Sequence, residues 1–165
     1  MKKSDCKMIS AAFVAQGWNK SERIYREYFT EQQFGDRDVF IAEYEGEFAG
    51  YVTIKWETEY DYFRENNIPE IKDLNTLIKF RNKGIATHLM DVAEARIKEK
   101  DYSIAGIGVG LYSDYGIAQK MYIDRGYNFD TRGLMYNGEQ VPPGTQTIAD
   151  DNLTLFLLKK VRRET

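Results

Sequence analysis

Between Glu70 and Lys98 the hydrophobic period of the chain changes once, across a turn of four residues. Ile71, Leu74, Thr76, Leu77 and Ile78 form an apolar, β-branched run that opens after Pro69 and predicts a strand over Glu70–Phe80. Ile85, Leu89, Val92, Ala93 and Arg96 then recur at helical spacing, with Ala86, Met90 and Ile97 widening the stripe. Arg81, Asn82, Lys83 and Gly84 occupy the junction. The first turn of a helix leaves amide N–H groups without partners and carries the positive end of the macrodipole. Arg81 and Lys83 add two full charges there, and Gly84 permits a positive φ and a close backbone approach. Such a turn makes a socket for a phosphate or diphosphate. An ordinary basic connection is built from the same residues, so the turn alone leaves both readings open.

The remaining chain reads as one domain over residues 1–165, long enough for a continuous core. A formal net charge of −3 with mixed signs gives no polyanion-binding signal, so no nucleic-acid partner is expected. Cys6 is alone, which excludes an internal disulfide. No apolar run approaches the length of a membrane helix and no signal peptide is present, so a soluble, cytoplasmic protein without a membrane partner is expected.

In order, the pattern predicts a helix over Asp5–Gln16 with Asp5 as N-cap, and a second over Ser21–Phe34 closed by Gly35. A hairpin comes next, Val39–Glu45 and Phe48–Trp56 around Glu45-Gly46-Glu47, with Gly50 as a bulge position. Glu57–Asn67 is an acidic, tyrosine-rich connection. Ile104–Leu111 reads as a strand buried on both faces, and its alternating Gly106, Gly108 and Gly110 leave room on one face for a backbone or a cofactor. A helix over Ser113–Arg125 is closed by Gly126, and Tyr127–Tyr136 begins another strand. A turn-rich loop over Asn137–Asp151, a final strand over Leu153–Leu158 and a charged tail over Lys159–Thr165 complete the chain.

Arg81-Asn82-Lys83-Gly84-Ile85-Ala86 resembles the R/Q-x-x-G-x-G/A signature of the GNAT superfamily of acetyl-CoA-dependent N-acetyltransferases. Asp73–Ile78 resembles that family's fourth strand, and Ala118–Tyr127 resembles its A-x-x-(L/M)-Y-x-x-x-G-(F/Y) segment. The two motifs stand in the family's order and at its usual separation, and the likeness covers roughly residues 38 to 130. It implies an α/β fold with a mixed, mostly antiparallel sheet of six to seven strands and helices on both faces. It also implies a first strand that is here missing or reduced to a few residues.

The resemblance places acetyl-CoA as co-substrate, without a metal, in a cleft between the fourth and fifth strands. Its diphosphate would lie on the amides of Arg81, Asn82, Lys83, Gly84, Ile85, Ala86 and Thr87, and its pantetheine arm along Asn75, Thr76 and Leu77. The N–H of Thr76 would face the thioester carbonyl and stabilise its developing negative charge. Tyr122 falls where the family often carries the acid that protonates the departing thiolate. Many members carry Asn where this chain has Tyr115, so that pantetheine contact is lost, replaced, or made by Ser113 or Asp114. A protonated amine must lose a proton before it attacks, and the carboxylates of the fourth strand, Glu70 and Asp73, are the candidate bases. They lie three apart and so face opposite ways unless a bulge intervenes. His88 is remote from this chemistry and reads as a helix-surface residue.

Trp18, Trp56, Tyr60 and Tyr62 are the candidates to line the acceptor site. The carboxylates and rings of Glu57–Asn67 suit a cationic amine through ion pairing and cation–π contact. A small polar or cationic molecule bearing a primary amine is the expected acceptor, attacked directly in a ternary complex. An acetyltransferase of protein amines, a silent acyl-CoA-binding module and a nucleotide-binding α/β domain are the rival readings. A second copy of the chain is a partner that the sequence leaves open.

Overall fold

A computed structural model describes residues 1–162, and the last three residues of the expected charged tail lie outside the described residues. The described chain is α/β and falls into two compact units. One comprises Met1–Trp56 and Ile71–Arg96, the other Glu57–Glu70 and the residues from Ile97 on.

In the first unit, α1 (Asp5–Ala15) buries Cys6, Ile9 and Phe13, three and four residues apart on one face. Its N-cap is Ser4; Asp5, expected in that role, is instead the first helical residue and accepts a 2.6 Å hydrogen bond from the Lys2 N–H. Residues 1–4 form no strand. α2 (Glu22–Phe34) starts at Ser21 and stops at Gly35, whose φ of 83° supplies the left-handed C-cap. β1 (Arg37–Tyr44) and β2 (Glu47–Lys55) pair antiparallel from Arg37↔Lys55 to Tyr44↔Glu47. Glu45 and Gly46 both have positive φ, 52° and 81°, as the primed two-residue hairpin turn requires.

Gly50 does mark a bulge: it pairs with Ala42, Glu43 pairs with Phe48, and the register shifts between them. It also serves a close approach. A Cβ there would lie 3.1 Å from Thr76 Cα and 3.3 Å from the Asn75 carbonyl carbon, nearer still to its oxygen. β3 (Glu70–Thr76) joins this unit from Ile71 on. Its Asn75–Thr76 end lies beside Gly50 and Lys72 lies beside Thr53, so β2 and β3 are antiparallel. β3 ends earlier than expected. Leu77 donates its N–H to Ala49 O (2.8 Å) and accepts from the Phe80 N–H (2.9 Å), opening a 3-10 turn over Ile78–Phe80. α4 (Ile85–Glu99) comes after this turn, with Ile85, Leu89, Met90 and Ala93 buried. The core of this unit is aromatic: Phe13 meets Trp18, Phe48 and Tyr51 at 5.7–5.9 Å, and Tyr25 meets Tyr51 at 5.6 Å. Burial of each such ring contributes roughly 1.5–3 kcal/mol.

The second unit is organised on β4 (Ile104–Gly110) and β8 (Leu153–Lys160), paired antiparallel from Ile104↔Lys160 to Gly110↔Thr154. Lys159 and Lys160 are therefore strand rather than tail. The connection read as a loop over Glu57–Asn67 contains a short helix, α3 (Asp61–Glu65). Ser113–Tyr115 form a 3-10 turn before α5 (Gly116–Asp124), where Tyr122 is buried and Ile117 is exposed. The strand expected over Tyr127–Tyr136 breaks into β5 (Asn128–Phe129) and β6 (Met135–Tyr136), because Thr131 and Gly133 adopt positive φ between them. β5 and β6 both pair with β8, and β6 pairs with β7 (Glu139–Gln140). The break raises the number of strands among the described residues to eight, above the six to seven expected. No described helix is long and apolar enough to cross a membrane.

Candidate functional site

The turn before α4 has the geometry of an anion seat. Asn82 (φ 59°) and Gly84 (φ 77°) are both left-handed, and the His88 N–H closes the first helical bond on Gly84 O at 3.0 Å. Ile85 and Ala86 therefore stand ahead of the first i→i−4 bond, where amides have no intrahelical partner. A Cβ on Gly84 would meet nothing within 4 Å, so its φ and not a neighbouring atom restricts the position. Arg81, Asn82, Lys83 and Thr87 are exposed, as is His88 on the next turn. The Arg81 guanidinium lies 5.7 Å from the Trp18 ring, and Lys83 lies 5.1 Å from Tyr44. Trp18 thus flanks the basic turn while stacking on Phe13.

Upstream of this turn the backbone is divided in its use. Leu77 gives its N–H to Ala49 O and takes the Phe80 N–H on its own carbonyl. Successive amides of a strand point to opposite edges. With the Leu77 N–H directed at Ala49, the Thr76 N–H points away from β2. The Thr76 hydroxyl is buried and without a hydrogen-bond partner.

The two candidate bases have different surroundings. Asp73 carries φ 56°, so the alternation that would set Glu70 and Asp73 on opposite faces is broken within the strand. Its Oδ2 accepts from the Tyr28 hydroxyl (2.9 Å) and from Arg37 Nη1 (3.2 Å), and the Thr53 hydroxyl lies 3.4 Å away. Burial first, and the Asp73 charge second, push the Tyr28 phenol well above the ordinary range. Tyr51 is raised for the same two reasons, and Tyr25 is pushed up to about 12, mainly by burial. Glu70, in the second unit, is buried at 4% exposure, accepts a hydrogen bond from the Thr58 hydroxyl, and sits beside Gly108.

The glycine face of β4 is filled by the protein's own rings. Cβ atoms on Gly106, Gly108 and Gly110 would meet Phe63 at 2.6–2.7 Å, Phe156 at 3.0 Å and Tyr115 at 2.8 Å respectively. Room expected there for a cofactor is therefore taken. Tyr115, at the position where the family often has Asn, covers Gly110 and gives its hydroxyl to Asp151 (2.7 Å), as does Tyr112. Burial, then the Asp151 bond, raises the Tyr115 phenol well above its usual value. Ser113 points its hydroxyl at Asp114 (3.4 Å). Tyr122 is buried and meets Tyr127 edge-on at 6.0 Å.

The second unit also holds an open groove of about 750 Å³, lined among others by Tyr60, Tyr62, Glu65, Asp130, Arg132 and Glu139. Neither Trp18 nor Trp56 lines it; Trp56 closes the end of β2, its N–H on Asp36 O at 3.1 Å. Tyr60, expected to offer a ring face, has its ring stacked on Phe156 at 3.8 Å and its hydroxyl bound to Asp130 at 2.7 Å. The face of Tyr62 is covered by the Arg132 guanidinium at 3.8 Å. Asp130 is the residue that sequence reasoning missed. It is buried, and among the described residues its carboxylate accepts from neutral donors, the Tyr60 hydroxyl and the Arg132 backbone N–H (3.0 Å). Its only signal in the sequence is an Asp before a Thr-Arg-Gly turn, which is indistinguishable from a surface turn.

Residues 7–127 match the model of the acetyltransferase (GNAT) family. An uncharacterized N-acetyltransferase of Archaeoglobus fulgidus is 32% identical over 92 residues, covering 54% of this chain and 60% of that protein. The chain spans 37–60% of the length of the curated relatives it matches. An N-acetyltransferase from Staphylococcus aureus Mu50 superposes with a TM-score of 0.71 over 98% of this chain and 96% of its own, at 17% identity. A GNAT family acetyltransferase from Elizabethkingia anophelis with acetyl-CoA bound gives 0.59 over 85% and 83%, at 21% identity. At those identities the two structures speak for the fold, and the family match speaks for descent: the chain belongs to the GNAT acetyltransferase family.

Proposed function

We propose that the protein transfers acetyl from acetyl-CoA to a primary amine of a small, cationic molecule by direct attack. The observation that carries this is the basic turn of Arg81–Gly84, with two left-handed residues opening a 15-residue helix. Diphosphate oxygens would be held by the amides of that helical turn and by Arg81 and Lys83, with the diphosphate's charge favoured by the dipole. The pantetheine would run past Asn75 and Thr76, and the Thr76 N–H, directed away from β2, would stabilise charge developing on the thioester oxygen.

Glu70, buried and bonded by the Thr58 hydroxyl, is the proposed proton acceptor. Tyr122 would return a proton to the leaving thiolate. Cys6 is 1% exposed and donates to Tyr25 O, and burial raises its thiol against the nearby Arg26 charge. It is thereby a poor acetyl carrier. The acceptor class is argued from Asp130, since a buried carboxylate bound by neutral donors is completed by a cation. Glu65 and Glu139 add negative charge at the same groove.

Calorimetry with coenzyme A, and then thiol release across a panel of amines, tests the reading. Binding together with release on di- and polyamines is the expected result. Binding without turnover on any amine would favour a silent acyl-CoA module, and no heat with coenzyme A would overturn the proposal.

A further inference from the structure

Asp73 sits in the left-handed region in the middle of a strand, and a charged network around the buried Arg37 holds it there. Aspartate tolerates this conformation better than most residues, yet not freely. Its carboxylate receives Tyr28 and Arg37, while its backbone carbonyl receives Asn75 Nδ2 at 3.1 Å. Arg37 is itself buried. It is gripped by Glu31 (2.5 Å) and by the Thr53 hydroxyl (2.6 Å), and its guanidinium lies 4.1 Å from the Tyr28 ring. Glu31 takes a second cation, Lys55, at 2.6 Å. The Thr53 hydroxyl lies 3.3 Å from Lys72 O, one residue before the kink.

Burying charges costs several kcal/mol in desolvation, and such networks are best attested where they fix one conformation among several. A left-handed residue in a strand bends it and re-aims the residues beyond the bend. Beyond Asp73 those residues include Asn75 and Thr76, pressed against Gly50 on one side.

We infer that Glu31, Arg37, Tyr28 and Asp73 form a positioning device for acetyl transfer. They hold the kink of β3 that presents the Thr76 N–H to the reacting carbonyl. Asp73 acts through the backbone and not by taking a proton. The inference rests on the acetyl-transfer reading above, and adds a role for residues that touch neither substrate.

The test compares wild type with Tyr28→Phe, Arg37→Met and Asp73→Asn. Steady-state rates with the best amine of the panel are one readout. The other is the amide NMR shift of Thr76 with acetyl-CoA against coenzyme A, which needs no acceptor. Tyr28→Phe and Arg37→Met are expected to lower kcat about tenfold or more, with the coenzyme A Kd within about twofold. The acetyl-dependent part of the Thr76 shift should shrink in both. Asp73→Asn loses the charge that pairs with Arg37 but keeps a residue that tolerates the left-handed region and an acceptor for Tyr28, so its kcat should fall less than that of Arg37→Met. Loss of activity in Asp73→Asn alone, with Tyr28→Phe unaffected, would make Asp73 the base and overturn the inference. So would a fall in Tm with kcat and the Thr76 shift unchanged. If wild type itself bound no coenzyme A, the functional reading would fall and this one with it.

Discussion

Replacing Gly50 by Ala tests how closely β3 is packed on β2. The added Cβ would fall inside 3.0 Å of the Asn75 carbonyl oxygen, a distance real Cβ atoms essentially never show, with Thr76 Cα at 3.1 Å. Both obstacles are backbone, so no side chain can swing aside and β3 itself must retreat. Overpacking of this kind costs about 1–3 kcal/mol. Moving the strand also strains the Leu77 N–H bond to Ala49 O, whose loss costs about another 1 kcal/mol. For a chain of 165 residues, each kcal/mol lowers Tm by about 2–4 °C, so the variant should melt about 5–15 °C below wild type. Gly46→Ala is the control: it has a positive φ but nothing within 4 Å of its Cβ. Its cost is the left-handed strain alone, about 1–2 kcal/mol. Circular dichroism melts of the three proteins decide the matter. A Gly50→Ala loss no larger than that of Gly46→Ala would refute the close-approach argument.

Gly84→Ala should weaken coenzyme A binding about tenfold by calorimetry, through backbone strain at φ 77° and not through steric exclusion. Tyr122→Phe should lower kcat about tenfold to a hundredfold with little change in coenzyme A affinity, since a thiolate leaves readily even without an acid. Asp130→Asn should raise KM for dicationic amines about tenfold while sparing neutral ones, and added salt should blunt the difference. For Glu31, burial raises the carboxyl but is outweighed by the hydrogen bonds from Lys55 and Arg37, which leave it below its ordinary value. Folded protein therefore binds that proton less readily than unfolded chain. The stabilisation is complete above the ordinary glutamate value of about 4.3 and fades as pH falls through the lowered one. The Tm gap between wild type and Glu31→Gln should be open at neutral pH and close in acid.

The strand-turn-helix of Glu70–Lys98 was legible because period, charge and glycine agreed within one short window. Both hairpin strands and the other helices and strands of seven or more residues were legible from their hydrophobic period. What escaped depended on tertiary neighbours. The helix Asp61–Glu65 is too short for its period to show, and it exists to carry Phe63 onto Gly106. β3 ends at Thr76, and in the 3-10 turn that follows the Ile78 N–H is taken by the distant Gln16 side chain. The apolar letters of Leu77 and Ile78 gave no sign of it. Tyr60 and Tyr62 line the groove, but which faces of their rings are vacant depends on Phe156 and Arg132, distant in sequence. Asp73 looked like half of an acidic pair. Its partners, Tyr28 and Arg37, lie 45 and 36 residues away.

If the groove takes the acceptor, as proposed above, the stack of Tyr60 on Phe156, fastened to Asp130, bears on any attempt to change what the protein accepts. A floor built this way resists redesign, because altering any of its three members disturbs the other two. The rim is different: Glu65, Glu139 and the Arg132 side chain are exposed and belong to short or irregular segments. Selectivity should therefore drift through the rim during laboratory evolution, with the base of the groove staying as it is.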